Sequence, residues 1–101
     1  MINIKLFCAA GMSTSLLVKK MKDAAEKAGI EVEIGAYPET ELKKRLQGTD
    51  IALLGPQISY KLKEDKKICD EAGVPIAVIP MVDYGMMNGE KVLKFALDLK
   101  K

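Results

Sequence analysis

The sequence predicts an α/β protein with an open four-stranded parallel sheet, strand order 2-1-3-4, and helices on both faces. Two observations point there. Short apolar β-rich runs alternate with amphipathic helical stretches along the whole chain, which implies parallel strands joined by right-handed crossovers. The first, third and fourth runs also lack clean alternation of apolar and polar residues, as expected of strands covered on both faces.

Residues 2–7, INIKLF, form the first strand, with Ile2, Ile4 and Leu6 on one face. A helix follows over residues 13–28. Leu16, Leu17, Met21, Ala24, Ala25 and Ala28 make its apolar stripe, and Gly29 ends it. EVEIGAY, residues 31–37, alternates as a half-covered second strand. Pro38 breaks it, and a short helix carries Leu42 and Leu46 to about residue 47. DIALLG, residues 50–55, is the third strand. The next helix spans residues 58–72, with Ile58, Leu62, Ile68, Cys69 and Ala72 inward and Gly73 as its stop. PIAVI, residues 75–79, is the fourth strand. A loop leads to Asn88, the N-cap of a last helix whose inward stripe is Val92, Leu93, Ala96 and Leu97.

The length of 101 residues suits a single domain, residues 1–101, that needs neither disulfide nor metal. A net charge of +2, with three Tyr and two Phe forming no basic–aromatic stripe, argues against nucleic acid. With no histidine and two distant cysteines, no zinc site can be assembled, and no cofactor is expected. The cysteine usage fits a reducing, cytoplasmic compartment. No signal peptide is visible, and VPIAVIPMV is too short for a membrane helix, so no direct membrane insertion is expected.

A 2-1-3-4 sheet changes winding direction between strands one and three, and ligands bind there, beyond the carboxyl ends of the strands. Two segments flank that point: CAAGMSTS and GPQISY. Cys8 closes the first strand. Ala9, Ala10, Gly11, Met12, Ser13, Thr14 and Ser15 then lead into a helix whose first N–H groups have no internal partners and, with the helix dipole, favour an anion. The same field favours a thiolate. An unperturbed cysteine titrates near ~8.5, and a fall of about 1.5 units, roughly 2 kcal/mol, would half-ionise it at pH 7. A cysteine at a strand end is ordinarily a small buried apolar residue. Here thiol, glycine, three hydroxyls, helix start and switch point coincide, which favours a phosphate cradle with a nucleophile at its base. Cys69 has no such neighbours and reads as core.

A tyrosine phosphatase needs C-x5-R. Counting from Cys8, Thr14 occupies the arginine's place, and the single arginine of the chain is Arg45. Without a guanidinium clamp, rapid hydrolysis is not expected; a carrier that hands its phosphoryl group onward suits neutral donors. A phosphatase or arsenate reductase of a related cysteine-loop fold, and a non-catalytic anion-binding module, are the alternatives.

KLFCAAGMSTSLLVKKM, DIALLGPQISY and the order of elements resemble the cytoplasmic B component (enzyme IIB) of the lactose/chitobiose/cellobiose class of the bacterial sugar phosphotransferase system. The resemblance implies a sheet similar to low-molecular-weight tyrosine phosphatases and phosphorylation of Cys8. It implies a phosphohistidine on the A component as donor and a sugar, a β-disaccharide, on the membrane C component as acceptor. The loop from Ala9 to Ser15 would surround the phosphoryl group. Gly55, Pro56 and Gln57 would form the opposite rim, and the protein would act as a monomer. Asp83 and Tyr84 are further rim candidates. Asp83 reads first as a solvated turn residue, with an acid that protonates a leaving group as the second reading. Met12, Met81, Met86 and Met87 serve either as core filling or as a deformable docking rim.

Overall fold

The computed structural model describes residues 1–9 and 14–100. Four parallel strands form one sheet in the order β2-β1-β3-β4: β1 (Ile2–Cys8), β2 (Val32–Pro38), β3 (Ile51–Leu54) and β4 (Ile76–Val78). The helices are α1 (Ser15–Ala28), α2 (Leu42–Arg45), α3 (Leu62–Ala72), α4 (Met81–Gly85) and α5 (Gly89–Asp98).

Central strands bury both faces. Ile4, Leu6, Ile51 and Leu53 pack with Leu17, Val18, Met21 and Ala25 of α1 and Val92, Leu93 and Ala96 of α5. Phe7, Ala52 and Leu54 face the other way, against Leu42, Leu46, Ile58 and Cys69. All four residues of β3 are buried, which explains its unbroken apolar run. At the edge, β4 is kept to three residues between Pro75 and Pro80, which cannot donate to a ladder.

Glycines end two helices as the sequence predicts. Gly29 and Gly73 take φ of 69° and 72°, and the amides that follow them bond back to Ala25 and Cys69. Asn88 caps α5, its side chain accepting from the Lys91 amide at 3.1 Å. Asp50 ties both ends of the chain to the base of the sheet. It accepts from the Asn3 amide at 2.8 Å and from Lys100 Nζ at 2.9 Å, and these bonds hold its carboxyl below its usual range.

Several expectations are corrected. In α1 the inward place goes to Val18, while Leu16 is 51% exposed and Ala28 faces outward. Position 16 is on the outer side of the first turn, while its neighbour Leu17 is fully buried. The stretch read as one helix from residue 58 is a 3-10 segment, Pro56–Lys61, followed by α3, and Ala72 is exposed. The second helix is likewise split into a 3-10 turn, Glu39–Glu41, and a single turn of α2. The supposed loop before Asn88 contains α4.

Gly89 marks where α5 meets α1. A Cβ there would lie within 3 Å of the Lys20 and Met21 backbone, which cannot swing aside. Gly89→Ala should lower stability by about 1–3 kcal/mol, read from the urea midpoint. Gly85→Ala, which meets nothing within 4 Å, should not lower it.

Candidate functional site

Strand β1 carries Cys8 to its C-terminal end, opposite Pro38 of β2 in the register. On the other side Phe7 pairs with Leu54, and the Gly55 amide donates to the Phe7 carbonyl at 2.8 Å. The chain therefore passes Cys8 again just beyond β3: a Cβ built on Gly55 would stand 3.5 Å from the Cys8 Cβ and 3.0 Å from Gln57 Oε1. Gly55 has ordinary extended dihedrals, so it serves here to leave space and not to make a turn.

The third wall is the start of α1. Thr14 is fully buried and its hydroxyl donates to Cys8 Sγ at 3.5 Å. Threonine at an N-cap commonly accepts from the helix amides; this one has helical dihedrals and makes no such bond. Its only hydroxyl proton is directed to sulfur. A hydrogen bond to the charged form favours that form, so the contact favours thiolate over thiol.

Both cysteines are buried thiols. Burial, with Asp65 and Asp70 nearby, pushes the Cys69 thiol up to about 11. It is inert core, as its place on the inward stripe suggests.

Of the predicted loop, Ala9 is exposed, Thr14 lies against the sulfur, and Ser15 opens α1 at the surface. Ala10, Gly11, Met12 and Ser13 lie outside the described residues. Across the crevice Gly55 and Pro56 are buried and Gln57 is exposed. Asp83 is half-buried on α4. Tyr84 turns inward with the α1–α5 core instead of standing on a rim, and among the described residues its hydroxyl has no partner. Met87 also packs against that core, at φ 52°. Met81 and Met86 are exposed, together with Val82, Leu16 and Tyr60. These five follow the carboxyl ends of β4, β1 and β3, so the end of the sheet that carries Cys8 has an apolar fringe.

Arg45 is engaged elsewhere. It stacks on Tyr37 at 4.5 Å and pairs with Glu41 at 2.8 Å. Among the described residues, no cluster of three or more histidines, cysteines or carboxylates is placed to hold a metal, and no helix is long and apolar enough to cross a membrane.

A thiol at the switch point of a parallel four-stranded sheet, bonded by the first hydroxyl of a helix, defines a small cysteine-loop α/β protein. The model of the lactose/cellobiose-specific IIB subunit family of the phosphotransferase system matches residues 3–95, and the chain belongs to that family. It is a sugar-specific EIIB component, of a family that acts as phosphotransferases in sugar transport alongside EIIA and EIIC components.

The galactose-specific EIIB component of Lactococcus lactis subsp. cremoris is 50% identical, over 95% of this chain and 94% of that protein. The oligo-beta-mannoside-specific EIIB component of Bacillus subtilis is 42% identical, over 98% and 96%. The solution structure of a cellobiose-specific IIB component from Borrelia burgdorferi superposes with a TM-score of 0.81 at 42% identity, over 97% of this chain and 90% of that one. A mutant of YwlE from Bacillus subtilis, a protein of the low-molecular-weight tyrosine phosphatase type, shares the fold at a TM-score of 0.58 and 16% identity, over the whole of both chains.

Thr14→Val keeps the shape and removes the proton aimed at sulfur. It should shift the pH midpoint of Cys8 alkylation upward by about one unit, since a hydrogen bond to a charged group contributes about 1.5 kcal/mol or more. The Cys69 midpoint, read by peptide mass, should stay near 11.

Proposed function

We propose that Cys8 is the residue that carries the phosphoryl group, and that the chain takes it from a phosphohistidine of the A component and gives it to a sugar held by the membrane C component. The contact from Thr14 to Cys8 Sγ, at the switch point, is the observation that carries this reading. In the first step the thiolate attacks phosphorus, a P–S bond forms and the P–N bond breaks. The electron pair returns to the imidazole, which keeps neutral charge by taking up a proton. In the second step a sugar hydroxyl attacks, the P–S bond breaks, the thiolate leaves and the hydroxyl gives its proton to solvent.

In this reading the N–H groups that start α1 and the hydroxyls of Ser13, Thr14 and Ser15 would be the donors for the phosphoryl oxygens, the Thr14 proton turning from sulfur to oxygen once the group is bound. No guanidinium is available to hold the group against departure, since Arg45 is committed to Tyr37 and Glu41. Such a site favours passing the group on over trapping it for water. The exposed fringe of Leu16, Tyr60, Met81, Val82 and Met86 supports docking of two different partners in turn, because unbranched methionines repack against dissimilar surfaces. The protein works in the cytoplasm, where thiols stay reduced. The relatives are named for galactose, oligo-beta-mannoside and cellobiose, and a β-linked disaccharide is the acceptor assigned here.

Intact mass tests this directly. After incubation with phosphorylated A component the chain should gain one phosphoryl group. Cys8→Ser should abolish the gain and Cys69→Ser should not. A Cys8→Ser chain that still gains the mass sinks the assignment, and steady hydrolysis of an aryl phosphate would favour a phosphatase instead.

A further inference from the structure

Asp65 lies in the first turn of α3, 1% exposed, and its Oδ2 has no hydrogen-bond partner among the described residues. An ionised carboxylate with an open oxygen in a dry site is strongly unfavourable. The carboxyl of Glu39, in the 3-10 turn after β2, lies within hydrogen-bond reach of it. Two carboxylates cannot bond to each other, but a carboxylic acid and a carboxylate can. One proton on Asp65 supplies a donor between the two carboxyls.

Position decides which partner is the acid. Lys61 Nζ stands 3.8 Å from Glu39 Oε1 and 3.2 Å from Glu64 Oε2, so an ammonium neutralises Glu39. Asp65 is the more buried, and it faces Glu64 on its own helix and Cys69 one turn further on. Burial first, then Glu39, push its carboxyl up to about 7.

The location connects this pair to the site. Glu39 follows Pro38, the register partner of Cys8. Lys61 ends the segment Pro56–Lys61, which starts beside Gly55 against Cys8. The cluster therefore joins the segments that leave β2 and β3, the two neighbours of β1. We propose that Asp65 is a carboxylic acid that donates its proton to Glu39, and that this pair positions the Pro56–Lys61 rim across from Cys8. Proton loss leaves two carboxylates in contact with one ammonium between them, and the rim separates from the turn. Because the folded carboxyl holds its proton more tightly than the ordinary 3.8, this support is complete below that value and is lost as pH rises towards about 7. The inference does not depend on which group Cys8 carries.

Carbon NMR of the side-chain carboxyls, followed against pH on the unphosphorylated protein, tests it. Asp65 should titrate with a midpoint near 7, and the amide shifts of Gln57, Tyr60 and Lys61 should move with the same midpoint. Asp65→Asn supplies a donor that does not titrate, so this movement should vanish, and the thermal midpoint should no longer fall as pH rises from 3.8 to about 7. An Asp65 midpoint near the ordinary ~4 overturns the proposal. So does a titration near 7 that leaves the rim amides still. If Asp65→Asn does not fold, the wild-type titration decides alone.

Discussion

Strand β1 is hydrogen-bonded on both sides, to β2 along residues 2–8 and to β3 along residues 4–7. That double pairing is the constraint on which the site depends. It fixes the height of Cys8 relative to Pro38 on one flank and Gly55 on the other. The chain leaves β1 for β2 on one side and returns to β3 on the other, so the winding changes direction at the end of β1 that carries Cys8. The helix that follows must start there, and so Thr14 is delivered to the sulfur. A slip of one residue in β1 would turn Cys8 to the opposite face, towards Phe7's neighbours, and separate it from α1.

The chemistry then follows from which donors are present. A guanidinium would stabilise charge on a transferring phosphoryl group and on the group awaiting water alike. Here the one arginine is spent on an aromatic ring and a glutamate, on the face of the sheet that α2 covers. One donor that reaches the sulfur is a neutral hydroxyl, that of Thr14. On the proposal that Cys8 carries the phosphoryl group, a neutral donor favours the thiolate without supplying a strong trap for the phosphorylated form. This matches a component that must give up what it receives. The fold is shared with YwlE of Bacillus subtilis at 16% identity, and a shared fold does not by itself set the chemistry of the thiol.

Much of this was legible in the sequence because several local signals agreed. The strand order followed from the alternation of elements, and the place of Cys8 followed from the order. Gly29, Gly73 and Asn88 announce their helix ends by chemistry that does not depend on context. Other features carried no local signal. Val18, not Leu16, joins Leu17 in the core that α1 shares with α5, which depends on how the helix is turned against its neighbours. Five residues of α4 are too few to show a period. Tyr84, beside Asp83 in a stretch read as a loop, was a rim candidate, yet its ring packs with the core. Asp65 is a charged residue on an inward face, and only its burial beside Glu39 shows what it does. Thr14 was legible as a donor, but its direction towards sulfur, at the expense of a helix cap, required coordinates.

Phosphorus NMR of the phosphorylated protein tests the central claim most directly. One protein-bound resonance is expected, with scalar coupling to the two β protons of Cys8, and it should move in Thr14→Val because the hydroxyl beside the sulfur is gone. A resonance coupled to any other side chain, or no coupling to the Cys8 β protons, would contradict it.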